Sequence, residues 1–263
     1  MTANSQITLA CFGLIGTLVA DDGAIEVAFA EAIATQGVVS GTSAFARAMA
    51  QVHRARGQAP GDVLQALFPD NLARAQAALL AFDRSLAAAM SRREVSPIPG
   101  AREVLTGLAD VGCRISVLTI LPRRELTAVL QATGWRDLIA VALSAEDVPR
   151  GSPFPDLALA AMLRAGVGDV REVAMVHGTA AGIECGRNAG ASVLAGVLTG
   201  PHPAARLRAA GATHVMRSVA ELPAALAGPS PGTRAAEQVR ATLPPQVSLE
   251  APQVSLEKGT LGL

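Results

Sequence analysis

Residues 7–12 form a short, largely apolar run, closed on its far side by Gly13 and Gly16. A run of this length between glycines predicts a strand buried on both faces of a parallel sheet. The period then lengthens. Over residues 24–36, Ile25, Phe29, Ala32 and Ile33 recur on one helical face. Residues 43–56, 61–67 and 71–92 carry the same spacing, and Pro60 and Pro69 divide them, because proline interrupts a helix it falls within. These segments predict an all-helical insertion.

Beyond Ser96-Pro-Ile-Pro-Gly100 the texture changes to short apolar runs alternating with helical periods. Helices are predicted at 101–111, 123–133, 156–165, 181–189 and 204–210, with strands at 114–118, 140–143, 173–176, 192–198 and 214–216. Such alternation predicts an α/β fold, a doubly wound parallel sheet with its ligand crevice at the carboxyl ends of the strands. The expected organisation is a core of residues 1–20 and 96–227, a helical cap over 21–95, and a tail over 228–263. The tail opens with Gly228-Pro-Ser-Pro-Gly232 and, after a short predicted helix at 233–242, repeats Pro-Gln-Val-Ser-Leu-Glu at 245–250 and 252–257. It is expected to be disordered alone, and residues 243–263 could contact a protein partner by adding strands to it.

Composition narrows the classes of function. With half of its 263 residues apolar, the chain can build a sizeable core. Net charge is zero, Tyr is absent and Trp135 stands alone, so neither a nucleic-acid stripe nor a base-stacking platform is indicated. Cys11, Cys113 and Cys185 are odd in number and sit in apolar or helical contexts, the pattern of reduced thiols. The apolar stretch 7–20 is too short and too glycine-interrupted to span a bilayer, so no membrane association is expected and a cytoplasmic location is. The only lysine is Lys258.

Several residues are candidates for chemistry. His177 falls at a strand end, where imidazole can donate, accept or shuttle a proton; a histidine capping a helix or edging the core would look the same. Thr17, Thr119 and Thr179 could converge with loop amides on an anion, or simply cap the helices that follow them. Arg123 and Arg124 open a helix after Thr119 and could reach an anionic group, or remain solvated. Asp21 and Asp22 follow the first loop and suit either a hinge or a surface turn.

The first loop, Cys11-Phe-Gly-Leu-Ile-Gly-Thr-Leu18, resembles the nucleophile loop of the haloacid dehalogenase superfamily, Phe-Asp-x-Asp-Gly-Thr-Leu. Leu118-Thr119, Gly151-Ser152-Pro153 and Val176-His177-Gly178-Thr179 follow in the order of that superfamily's later motifs. Ala20-Asp-Asp-Gly, Gly151-Ser-Pro-Phe-Pro-Asp156 and Gly196-Val-Leu-Thr-Gly200 are similar to its phosphonatase-like branch. The resemblance implies a nucleophilic Asp at position 13, an acid at 15, a cation at 152 and magnesium-binding acids at 178 and 182. Here those positions hold Gly13, Ile15, Ser152, Gly178 and Gly182. A Schiff-base route is closed as well, since no lysine precedes Lys258.

The expectation that follows is a pseudoenzyme: a non-hydrolytic pseudophosphatase with neither metal nor cofactor, serving as a ligand-binding or protein-interaction module. Its crevice would hold a small anionic or apolar ligand through Thr17, Thr119, Arg123, His177 and Thr179. Two alternatives stand beside it. One is a repurposed, metal-independent lyase, isomerase or cyclase of specialised metabolism with His177 as acid or base; the other is a phosphatase using displaced acids such as Asp21 or Asp156.

Overall fold

The computed structural model describes residues 7–20, 22–92 and 95–226. These belong to one compact unit that ends at Leu226. Asp21 and the tail, including its expected short helix, its repeats and the partner segment 243–263, lie outside the described residues.

Six parallel strands form a single sheet in the order β3-β2-β1-β4-β5-β6: β1 (Leu9–Gly13), β2 (Arg114–Thr119), β3 (Val141–Ser144), β4 (Val173–His177), β5 (Val193–Val197) and β6 (His214–Met216). The doubly wound α/β class read from the alternating periods is the class observed. Strand β1 is buried along its whole length. Its two-residue period sends Ala10 and Phe12 into the apolar layer under α5 (Ala101–Asp110) and α6 (Arg123–Thr133). Leu9 and Cys11 enter the opposite layer, under α7 (Asp156–Arg164), α8 (Ala180–Ala189) and α9 (Ala204–Ala209). Helices on both faces explain why the strands read as continuous apolar runs.

Between β1 and α5 lie α1 (Ala24–Thr35), α2 (Ser43–Ala55), α3 (Pro60–Leu67) and α4 (Leu72–Arg92). Ile25, Phe29, Ala32 and Ile33, the face read from the sequence, are all buried. Phe29 meets Phe82 of α4 with ring centroids 4.5 Å apart. Pro60 starts α3 at a position where its missing N–H costs nothing, and Thr42 caps α2 by accepting from the Phe45 amide. The α-helix α10 (Leu222–Leu226) has no sequence expectation, because its five residues are too few to show a period.

The sheet order places the switch point beside β1, which pairs with β2 on one edge and β4 on the other. In this register Phe12 lies across from Val176 and Gly13 across from Leu118. Gly13, Thr119 and His177, each the last residue of its strand, are thereby brought to the same edge of the sheet.

Candidate active site

At that edge a pocket, partly open to solvent, is lined by Gly13, Ile15, Arg56, Thr119, Ser152 and His177, among others. It is the crevice expected at the carboxyl ends of the strands.

His177 defines its floor. The residue is only 8% exposed, and its Nε2 is buried without a hydrogen-bond partner. An orphaned polar atom costs roughly 1–3 kcal/mol when buried, so its retention points to a function or to a bound group that completes it. Burial pushes the imidazole from its ordinary 6.5 down to about 4. The ring is therefore neutral near pH 7, with one nitrogen able to accept a proton.

The glycines around it are shaped by this ring. A Cβ on Gly13 would stand 2.7 Å from His177 Nδ1, and one on Gly182 would stand 2.2 Å from the same atom. Real Cβ atoms do not approach so closely, so the imidazole takes the room that side chains at 13 and 182 would need. Gly178 is confined differently: a Cβ there would meet the Gly200 Cα at 2.6 Å and the Gly16 carbonyl oxygen at 2.8 Å. Backbone cannot swing aside as a side chain can.

A pH effect on stability follows. The unfolded chain takes up a proton on His177 near pH 6.5, whereas the folded chain resists it until about pH 4. The stabilisation is complete above the upper value and is lost as pH falls through that window, by about 3 kcal/mol for this group. Denaturant melts from pH 7.5 to 4 should show the decline, and His177→Gln should flatten much of it. Equal slopes in the two proteins would contradict the assignment.

The threonines all hold backbone amides. Thr17 Oγ1 accepts from the Gly178 N–H at 3.1 Å, Thr119 Oγ1 from Leu121 at 3.1 Å, and Thr179 Oγ1 from Gly182 at 3.2 Å, as the N-cap of α8. Thr119 and Thr179 also line the pocket, each with a hydroxyl hydrogen still to donate, whereas Thr17 is sealed beneath the loop.

Arg123 does not join them. Its guanidinium pairs with Asp147, its amide donates to Glu146, and it is absent from the pocket wall. The 3-10 turn after β3 supplies both acids, a pairing the sequence does not reveal. Among the described residues, Arg56 is the cation that lines the site. It follows the end of α2, is 6% exposed and lines the pocket with Gly57. Nothing in its sequence context separates it from the other arginines.

The resemblance implies magnesium, which needs oxygen ligands in near-octahedral array, usually with one or two carboxylates. Among the described residues, no Asp or Glu lines this pocket. Among the described residues no group of three or more His, Cys, Asp or Glu is placed to hold a metal ion. These residues do not fit magnesium. Among the described residues, also, no helix is long and apolar enough to cross a membrane.

The fold and the strand-end crevice define a doubly wound α/β protein. A family model for haloacid dehalogenase-like hydrolase matches residues 12–196, and the chain belongs to that family. A phosphonoacetaldehyde hydrolase of Bordetella pertussis is 34% identical over 105 residues, which are 40% of this chain and 38% of that protein. The chain thus matches well under half the length of this relative.

A phosphonoacetaldehyde hydrolase-like protein from Oleispira antarctica superposes with a TM-score of 0.73 at 23% identity, covering 86% of this chain and 95% of that one. At that identity the likeness concerns the fold. A haloacid dehalogenase-family hydrolase from Deinococcus radiodurans, solved with phosphate and sodium, gives a TM-score of 0.61 at 27% identity, over 85% and 96% of the two chains.

These findings correct the functional expectation. The non-hydrolytic interaction module expected from the residues at 13, 15, 152, 178 and 182 is overturned by membership of a hydrolase family and by relatives that are themselves named hydrolases. Glycine at 13, 178 and 182 argues against an aspartyl nucleophile and a magnesium site, but hydrolysis by other groups of the same crevice requires neither.

Proposed function

We propose that the crevice is the catalytic centre of a hydrolase for a small phosphate- or phosphonate-bearing substrate, with His177 as its general base. The observation that carries this reading is the buried, neutral imidazole at the switch point of the sheet, with one nitrogen unpartnered. Phosphate in the crystals of the Deinococcus relative and the phosphonoacetaldehyde hydrolase name of the Bordetella relative support the substrate class.

In this reading, the positions to which the resemblance assigns acids are held by Gly13, Gly178 and Gly182, and the chemistry has passed to His177. Arg56 would neutralise the anion, with the Thr119 hydroxyl as a further donor. A water between substrate and ring gives a proton to the imidazole as its oxygen attacks phosphorus. The leaving group departs with that proton, and neutral imidazole is restored. No enzyme-bound aspartyl ester and no lysine Schiff base is required.

The test is release of inorganic phosphate from phosphonoacetaldehyde and a panel of small phosphate monoesters, with and without EDTA. Turnover that survives the chelator is the expected result. Absence of release from every substrate, or release that depends strictly on magnesium, would overturn the proposal.

A further inference from the structure

The last turn of α2 leaves the carbonyls of His53 and Arg54 without partners inside the helix. Both are taken by the segment that follows β5. His202 Nε2 lies 3.0 Å from the His53 oxygen, and the Arg206 guanidinium of α9 donates to the Arg54 oxygen. A carbonyl only accepts, so the hydrogen of His202 sits on Nε2. Its Nδ1 lies 2.8 Å from the Ala180 nitrogen, and a backbone N–H only donates, so Nδ1 carries the lone pair. The two bonds together select one neutral tautomer of a buried ring.

Ala180 is the first residue of α8, directly after its Thr179 cap. One imidazole therefore joins the end of α2 to the start of α8. The chain leaving α2 continues the contact. Gly57 adopts a φ of 94°, and a Cβ on it would stand 2.4 Å from Thr179 Oγ1, so the backbone rests directly on the α8 cap. Arg56 lies between these two points of attachment and lines the pocket that holds His177.

We propose that His202 is a positioning residue, whose paired hydrogen bonds hold the end of α2, and with it Arg56, in register with the His177 loop. The proposal rests on the reading of Arg56 as the contact for a substrate anion. Burial lowers the pKa of His202; the bond to the His53 carbonyl opposes this, while Arg206, Arg56 and His53 act in the same direction as burial. The two arginines among them, Arg206 and Arg56, favour the neutral form that the two bonds require.

Inorganic phosphate binding by calorimetry and amide exchange over residues 54–58 test this on the full chain. His202→Leu keeps bulk and loses both bonds; His202→Gln keeps one donor and one acceptor. The leucine variant should exchange faster at 54–58, with β2 and α5 unchanged, and bind phosphate about tenfold more weakly if the competent arrangement drops to about a tenth of the population. Glutamine should restore most of both.

Unchanged exchange and unchanged affinity in the leucine variant would overturn the proposal. If the wild type fails to bind phosphate, the anion reading of Arg56 falls, and exchange alone judges the clamp. Faster exchange in the leucine variant then supports it, and unchanged exchange overturns it.

Discussion

Replacing His177 with glutamine is expected to lower kcat/KM for phosphate release by about 10²–10⁴-fold, the usual worth of a positioned general base. Glutamine can still fill much of the ring's volume and form hydrogen bonds, but it cannot take a proton at neutral pH. The loss should fall on kcat, since the anion is held in this reading by Arg56 and Thr119, whereas Arg56→Ala should act mainly through KM. Because burial holds the free imidazole at about pH 4, the acid limb of kcat/KM should lie near that value and well below an ordinary histidine limb. Binding of a negatively charged substrate stabilises the imidazolium, so the limb of kcat should move upward from it. A glutamine variant with wild-type kcat would remove His177 from the chemistry.

Gly182→Ala, a single added methyl, is the second change with a large expected effect. Its Cβ would stand 2.2 Å from His177 Nδ1, and forcing such overlap in a packed site costs about 1–3 kcal/mol. The obstruction is a side chain, so His177→Ala in the same chain should relieve it. A double-mutant cycle should return a coupling on the order of 1–2 kcal/mol, within the range for residues in contact.

Gly178→Ala provides the contrast, because its obstruction is the backbone of Gly200 and Gly16 and His177→Ala leaves that in place. Denaturant melts of the five variants decide it. Additive costs at 177 and 182, or equal rescue at 178, would show that the ring does not hold the space. The same geometry predicts that placing Asp at 13, 178 and 182 while His177 remains will destabilise the protein and will not produce a magnesium site.

The order of elements was legible because each announces itself locally. Buried parallel strands appear as short apolar runs, and helices as a 3.6-residue recurrence, so the doubly wound sheet, the buried face of α1 and the crevice at Gly13, Thr119 and His177 could all be read from the chain. The capping role of Thr179 belongs to the same class of information, since it depends on neighbours three residues away.

What lay beyond the sequence involves contacts between distant segments. Gly13 and Gly182 look like deletions of function until β1, β4 and α8 are assembled and one imidazole is found between them. Arg56 is one arginine among many until the end of α2 is tied to α8 through His202, and Arg123 looks available until the turn after β3 brings Asp147 to it. Local periodicity settles which elements form. Only packing decides which side chain occupies a given volume, because two atoms cannot share it, and at this site that exclusion separates an empty phosphatase loop from a histidine-centred pocket.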